Sequence, residues 1–178
     1  MRRLLPVLFC ALLLSSFGGC NRVQDNIKKL QGQTIHIPFD SMYCWTSDSV
    51  LDSRWGDCAS GRYKYVVYMD SSLCSSCNIE RLYLWNELLS KMPSTVFYFI
   101  IAPHHAEDID YLPLYLRKSE LNSPVFIDVK YQFLECNPYL PKDVRYHTLL
   151  LDGGDRIVLV GSPLHNSSIE RIALSIVN

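Results

Sequence analysis

The chain has 178 residues, 48% of them hydrophobic and 20% charged, with 17 Lys and Arg set against 18 Asp and Glu for a net charge of −1. That length suits a single domain with a true core. Without a basic patch, nucleic acid is excluded as a partner, and no internal repeat, low-complexity block or second apolar span is present.

The chain opens on Met1-Arg2-Arg3 and an apolar run over residues 4–14. Eleven residues are too few to span a bilayer, which takes about 20, so the pattern reads as a signal peptide. Ser15-Ser16-Phe17-Gly18-Gly19-Cys20 follows and resembles a bacterial lipobox. The resemblance implies cleavage before Cys20 and lipid on its thiol. Asn21 in place of an Asp after the cysteine points to sorting to the outer membrane, on its periplasmic side. The expected organisation is therefore a signal peptide over 1–19, a polar tether over 20–32 and one domain over 33–178. Removing Arg2 and Arg3 leaves 15 basic and 18 acidic residues. Outside the inner membrane, cysteines can pair. Cys44, Cys58, Cys74, Cys77 and Cys136 remain, an odd number that leaves at least one unpaired within the chain.

Residues 34–37 alternate and stop at Pro38, predicting an edge strand. Residues 39–61 are polar and turn-rich and hold Cys44 and Cys58. Tyr63–Met69 (YKYVVYM) is β-branched and aromatic, a strand. Residues 75–91 carry Ile79, Leu82, Tyr83, Asn86, Leu88 and Leu89 near helical spacing, with Pro93 closing the helix. Thr95–Ile101 (TVFYFII) reads as a buried strand. Residues 107–118 read as a helix that Pro113 must kink or shift. Residues 124–127 form a short strand ending at Asp128, and a brief helix follows over 129–134. Residues 144–151 and Ile157–Val160 form a hairpin around Asp152-Gly153-Gly154-Asp155. Ser167 or Ser168 is expected to cap a last helix with Ile169, Ile172, Ala173 and Ile176 inward. Strands alternating with helices predict an α/β fold, a central mixed sheet covered on both faces. The short turn makes the last two strands antiparallel.

The chemistry is concentrated in Cys74-Ser75-Ser76-Cys77, placed between a strong strand and a helix. A zinc ribbon needs a second pair of similar spacing; thirteen residues separate Cys44 from Cys58, so no second pair exists. At a helix start, unpaired N–H groups and the helix dipole favour a thiolate, and such thiols are acidified well below their free value. Cys74 is expected to be the exposed nucleophile and Cys77, one turn inside, the resolving thiol. Cys44 and Cys58 are expected to pair with each other, which on the chain-entropy model stabilises by roughly 3 kcal/mol. Cys136 reads as buried and inert. His104-His105 read as a surface loop, and Asp128 and Asp152 as turn formers.

From these motifs the chain resembles the thioredoxin-like, redoxin-type thiol–disulfide oxidoreductases of the periplasm, and within them the small lipoproteins of Gram-negative bacteria. The resemblance runs from Thr34 to Ile176. Pro124-Val125-Phe126-Ile127-Asp128 with the helix after it matches that family's inserted strand and helix. Leu149 through Val158 resembles its late hairpin, and Gly161 its late glycine. The resemblance implies a thioredoxin-like fold with an N-terminal strand extension. It implies envelope protein thiols and disulfides as partners, a membrane contact through the lipid, and no cofactor or metal. Two positions depart from the family. Leu73 stands where Trp usually precedes the first cysteine, and Tyr146 or His147 stands where the family has a cis-proline. Tyr146 and His147 are thus candidates for shaping the site. Loss of the proline leaves open a copper- or soft-metal-binding module using Cys74, Cys77 and His147, since thiolates suit Cu(I). A non-catalytic interaction domain with a static disulfide is the other alternative.

Overall fold

The computed structural model describes residues 18–46, 50–51, 62–74, 76–105, 109–164 and 166–178. Residues 1–17, within the stretch read as a signal peptide, and Cys58, hence the expected Cys44–Cys58 pairing, lie outside the described residues.

Among the described residues, seven strands form one sheet: β1 (Tyr43–Trp45), β2 (Val50–Leu51), β3 (Tyr63–Met69), β4 (Thr95–Ile101), β5 (Val125–Ile127), β6 (Thr148–Leu151) and β7 (Ile157–Val160). Their order is β2-β1-β5-β4-β3-β6-β7. β3, β4 and β5 run parallel, and the other pairings are antiparallel. The helices are α1 (Gly18–Leu30), α2 (Ser76–Glu80), α3 (Asn86–Lys91), α4 (Leu112–Lys118), α5 (Gln132–Cys136) and α6 (Ser167–Val177), with a 3-10 segment, Arg81–Trp85, joining α2 to α3. Among the described residues, no helix is long and apolar enough to cross a membrane.

Two-residue periodicity splits the sheet between two cores. Tyr65, Val67 and Met69 of β3, Phe97, Phe99 and Ile101 of β4, and Leu150 of β6 face one side, where Ile79, Leu82, Trp85, Leu88, Leu112 and Leu116 pack on them. Val66 and Tyr68, Ile100, Phe126, Leu149 and Leu151 face the other, covered by Leu30, Ile35, Met42, Phe133 and Leu140. β3 is buried on both faces, which is why its run is almost wholly apolar and aromatic.

Several expectations need correction. The stretch read as a tether is helical over Gly18–Leu30, and Leu30 is buried at its end. The predicted edge strand over 34–37 reduces to a single antiparallel bridge, Thr34 to Arg156. The backbone of His36 pairs instead with the buried Asn137 side chain, whose amide oxygen accepts from His36 N at 2.9 Å and whose nitrogen donates to His36 O at 2.7 Å. The N-terminal extension of the sheet is built by β1 and β2, inside the stretch read as turns. The fourth helix starts at Leu112, with Pro113 in its first turn, where a missing N–H costs nothing. The helix expected over 129–134 runs Gln132–Cys136. Residues 144–146 form a 3-10 turn ahead of β6. Asn166, not Ser167 or Ser168, caps α6, accepting from Ser168 N and Ile169 N, and Ile172 is exposed while Ala173 faces inward.

Candidate functional site

β3 ends in the middle of the sheet, and the chain turns at once toward α2. Asp70 organises that turn. Its carboxylate Oδ1 accepts from Ser72 N at 2.9 Å and from the Ser72 hydroxyl. Its backbone oxygen accepts from both Leu73 N and Cys74 N at 3.0 Å. Asn78 then donates from its side chain to Leu73 O, tying the loop to the first turn of the helix. An Asp at a strand end followed by two serines is a signal for such a turn.

The two cysteines line two different grooves, both bordered by residues of α4 or next to it. Cys74 is half-buried and packs at the edge of the first core. It lines a groove of about 230 Å3 with Ser76, Ile79, Tyr111, Leu112 and Tyr115. Cys77 is exposed. It lines a groove of about 560 Å3 with the charged residues Glu80, Arg81, Lys118 and Glu120 and with Tyr83. The expected order of exposure is therefore reversed. α2 begins at Ser76, so Cys77 is its second residue and the residue turned into the core is Ile79. The aromatic wall from Tyr111 and Tyr115 comes from a helix 34 or more residues away, a placement no local pattern reveals.

His147 is brought to the same end of the sheet. It is buried, and its backbone oxygen accepts from Tyr68 N at 2.9 Å. Its Nε2 lies 2.9 Å from Pro141 O, an acceptor, so Nε2 carries a proton. Nδ1 has no hydrogen-bond partner and faces the Asp70 carboxylate at 3.8 Å. His147 thus touches the loop that carries Cys74 through Asp70. Tyr146 goes elsewhere: it is buried in the second core, and its hydroxyl accepts from Asn26 of α1. No peptide bond among the described residues is cis.

Burial pushes the Tyr68 hydroxyl well above its ordinary value, and the nearby Asp128 and Asp70 carboxylates add to this. Burial also raises Asp128, partly offset by the N–H groups of Phe133 and Gln132 that its oxygens accept, at 2.8 and 2.9 Å. Asp128 is therefore a buried cap for α5. Asp152 is a turn former, accepting from Gly154 N and Arg156 N. Cys44 is buried in β1, Cys136 is half-buried at the end of α5, and His104 and His105 are exposed neighbours. Among the described residues, no group of three His, Cys, Asp or Glu side chains is placed to hold a metal ion.

No protein-family model matches the chain, and no curated protein matches it. Solved structures do. A thioredoxin-like protein determined in solution in its oxidised form is 13% identical, with 84% of this chain and 99% of that one covered at a TM-score of 0.56. A putative thiol:disulfide interchange protein DsbE from Chlorobium tepidum is 15% identical, with 81% and 96% covered at 0.52. The thioredoxin domain of a thiol-disulfide oxidoreductase from Bacteroides vulgatus is 19% identical, with 83% and 98% covered at 0.50. Their likeness is one of fold, and it agrees with the strand order and the covering helices: this chain has a thioredoxin-like fold, a mixed sheet flanked by helices.

Proposed function

We propose that the chain is a lipid-anchored thiol–disulfide oxidoreductase of the bacterial cell envelope, exchanging disulfides with envelope proteins through Cys74 and Cys77. The observation that carries this reading is a Cys-x-x-C pair at the turn between a central strand and α2, with one thiol exposed and the other half-buried beside it. Reactive cysteines occupy partly exposed sites of this kind. The names of the structural neighbours agree with thiol chemistry.

On this reading the more exposed thiol acts first. The Cys77 thiolate attacks one sulfur of a partner disulfide, forming a mixed disulfide and releasing the partner's other sulfur as a thiolate. The Cys74 thiolate then attacks Cys77 Sγ, forming the Cys74–Cys77 disulfide and releasing the partner's second thiolate. Run backwards, the same steps oxidise a partner dithiol. Cys74→Ser should therefore accumulate mixed disulfides through Cys77, and Cys77→Ser should not. If neither variant traps a partner in envelope extracts, the pair is not an exchange site. The anchor rests on the Arg-led apolar start and Gly18-Gly19-Cys20. Cys20→Ala should leave the precursor unprocessed; normal processing with membrane fractionation would remove the anchor from this reading.

A further inference from the structure

A cleft of about 610 Å3 lies away from the cysteines, between α1 and residues 141–146. Arg22, Lys142 and Arg145 line it. Arg145 is engaged by Asp143, with contacts at 2.5 and 3.0 Å that hold the Asp143 carboxyl down at about 2. Arg22 and Lys142 are exposed and make no ion pair among the described residues. The cleft thus carries two uncompensated positive charges on a chain whose net charge is −1.

Its place in the fold gives those charges a partner. α1 runs along the second face of the sheet. At its far end, Gly32 N donates to Ile157 O at 2.9 Å, beside the β6–β7 turn. Thirteen residues at about 1.5 Å each carry the helix roughly 20 Å to the opposite end. One turn before Leu30, Asn26 donates to the Tyr146 hydroxyl, and Arg22, a further turn toward the helix start, lines the cleft beside Pro141 and Tyr146, at the end of the sheet away from the β6–β7 turn. That is the end where β3 delivers Asp70 and Cys74, and where His147 meets Asp70. Cys20 stands two residues before Arg22 in the same helix.

We propose that the cleft formed by Arg22, Lys142 and Arg145 seats the phosphates of anionic phospholipid headgroups, so that the anchored protein stands with its Cys74–Cys77 end toward the bilayer. The proposal rests on the lipid anchor of the reading above and adds an orientation to it. An acyl chain at Cys20 brings the start of α1 to the headgroup layer, where basic side chains are attracted to anionic lipid within a Debye length. The second contact stops the domain pivoting about its anchor. Thiols and disulfides close to the membrane surface become the favoured partners.

The test uses the purified lipoprotein in vesicles of phosphatidylcholine alone and of phosphatidylcholine with phosphatidylglycerol. A neutral acetylating ester probes Lys142, with Lys91 as the control at the opposite end of the sheet. Acetylation of Lys142 should slow about fivefold in the phosphatidylglycerol vesicles, the factor that corresponds to about 1 kcal/mol per basic residue at an anionic surface. Lys91 should not change. Arg22→Glu should remove the protection, as should high salt. Equal acetylation of Lys142 in the two vesicles would overturn the proposal. Equal protection by inorganic phosphate in phosphatidylcholine vesicles would also overturn it, leaving a free-anion site. A protein that enters neither vesicle would instead refute the anchor itself.

Discussion

Asp70 is the residue whose removal tests how the cysteine turn is built. Asp70→Ala deletes the acceptor for Ser72 N at 2.9 Å and for the Ser72 hydroxyl, and takes away the charge that faces His147 Nδ1 at 3.8 Å. Hydrogen bonds to a charged group are worth about 1.5–3 kcal/mol, less where water can replace them. The Asp70 side chain is 19% exposed, so the two bonds and the His147 contact together amount to about 2 kcal/mol after discounting for solvent. For a domain of this size that is a fall in Tm of about 4–8 °C. The backbone bonds from Leu73 N and Cys74 N to Asp70 O survive the substitution. Asp70→Asn keeps an oxygen for Ser72 N and should cost under about 1 kcal/mol. The measurement is urea unfolding of both variants, paired with alkylation of Cys74, which should speed up in Asp70→Ala as the turn loosens. Equal losses in the two variants would refute the account, because the turn would then depend on the charge toward His147 and not on the Ser72 bonds.

Alkylation of the reduced protein near neutral pH should label the exposed Cys77 before the half-buried Cys74, read by peptide mass; the opposite order would return the nucleophile's role to Cys74. Gly161→Ala should cost about 1–3 kcal/mol in thermal melts, because φ is +122° there and a Cβ would stand 2.6 Å from Ile169 Cδ1. The isoleucine tip can shift but the backbone angle cannot, so an unchanged Tm would refute the strain. Burial raises the Asp128 carboxyl in the folded state, so the native protein binds more protons than the unfolded chain above the ordinary Asp range. Its contribution to stability therefore falls as pH rises from the unfolded to the folded value, and Asp128→Asn should flatten that part of the stability–pH curve. Asp128→Ala, which also leaves Gln132 N and Phe133 N without acceptors, should cost about 2–4 kcal/mol by urea unfolding.

Local pattern determined a good deal of this protein. Tyr63–Met69 and Thr95–Ile101 read as strands with the bounds they have, because a strand buried on both faces must be apolar along its whole length. The hairpin around Asp152 was legible from its turn residues, and the cysteine pair from its place between a strand and a helix. Tertiary structure decided the rest. Residues 34–37 alternate as a strand does, yet Asn137, a hundred residues on, takes up the backbone of His36. The run after Cys20 is polar on average but carries Val23, Ile27 and Leu30 at helical spacing, a narrow stripe that is worth a helix only once Ile27 and Leu30 have a sheet face to cover. Cys74 and Cys77 both lie near one helix start, and spacing alone could not say which would be exposed. The answer came from where α2 begins and from the Tyr111–Tyr115 wall that α4 sets against Cys74. Burial is decided by partners distant in sequence, and it was burial that ordered the two thiols.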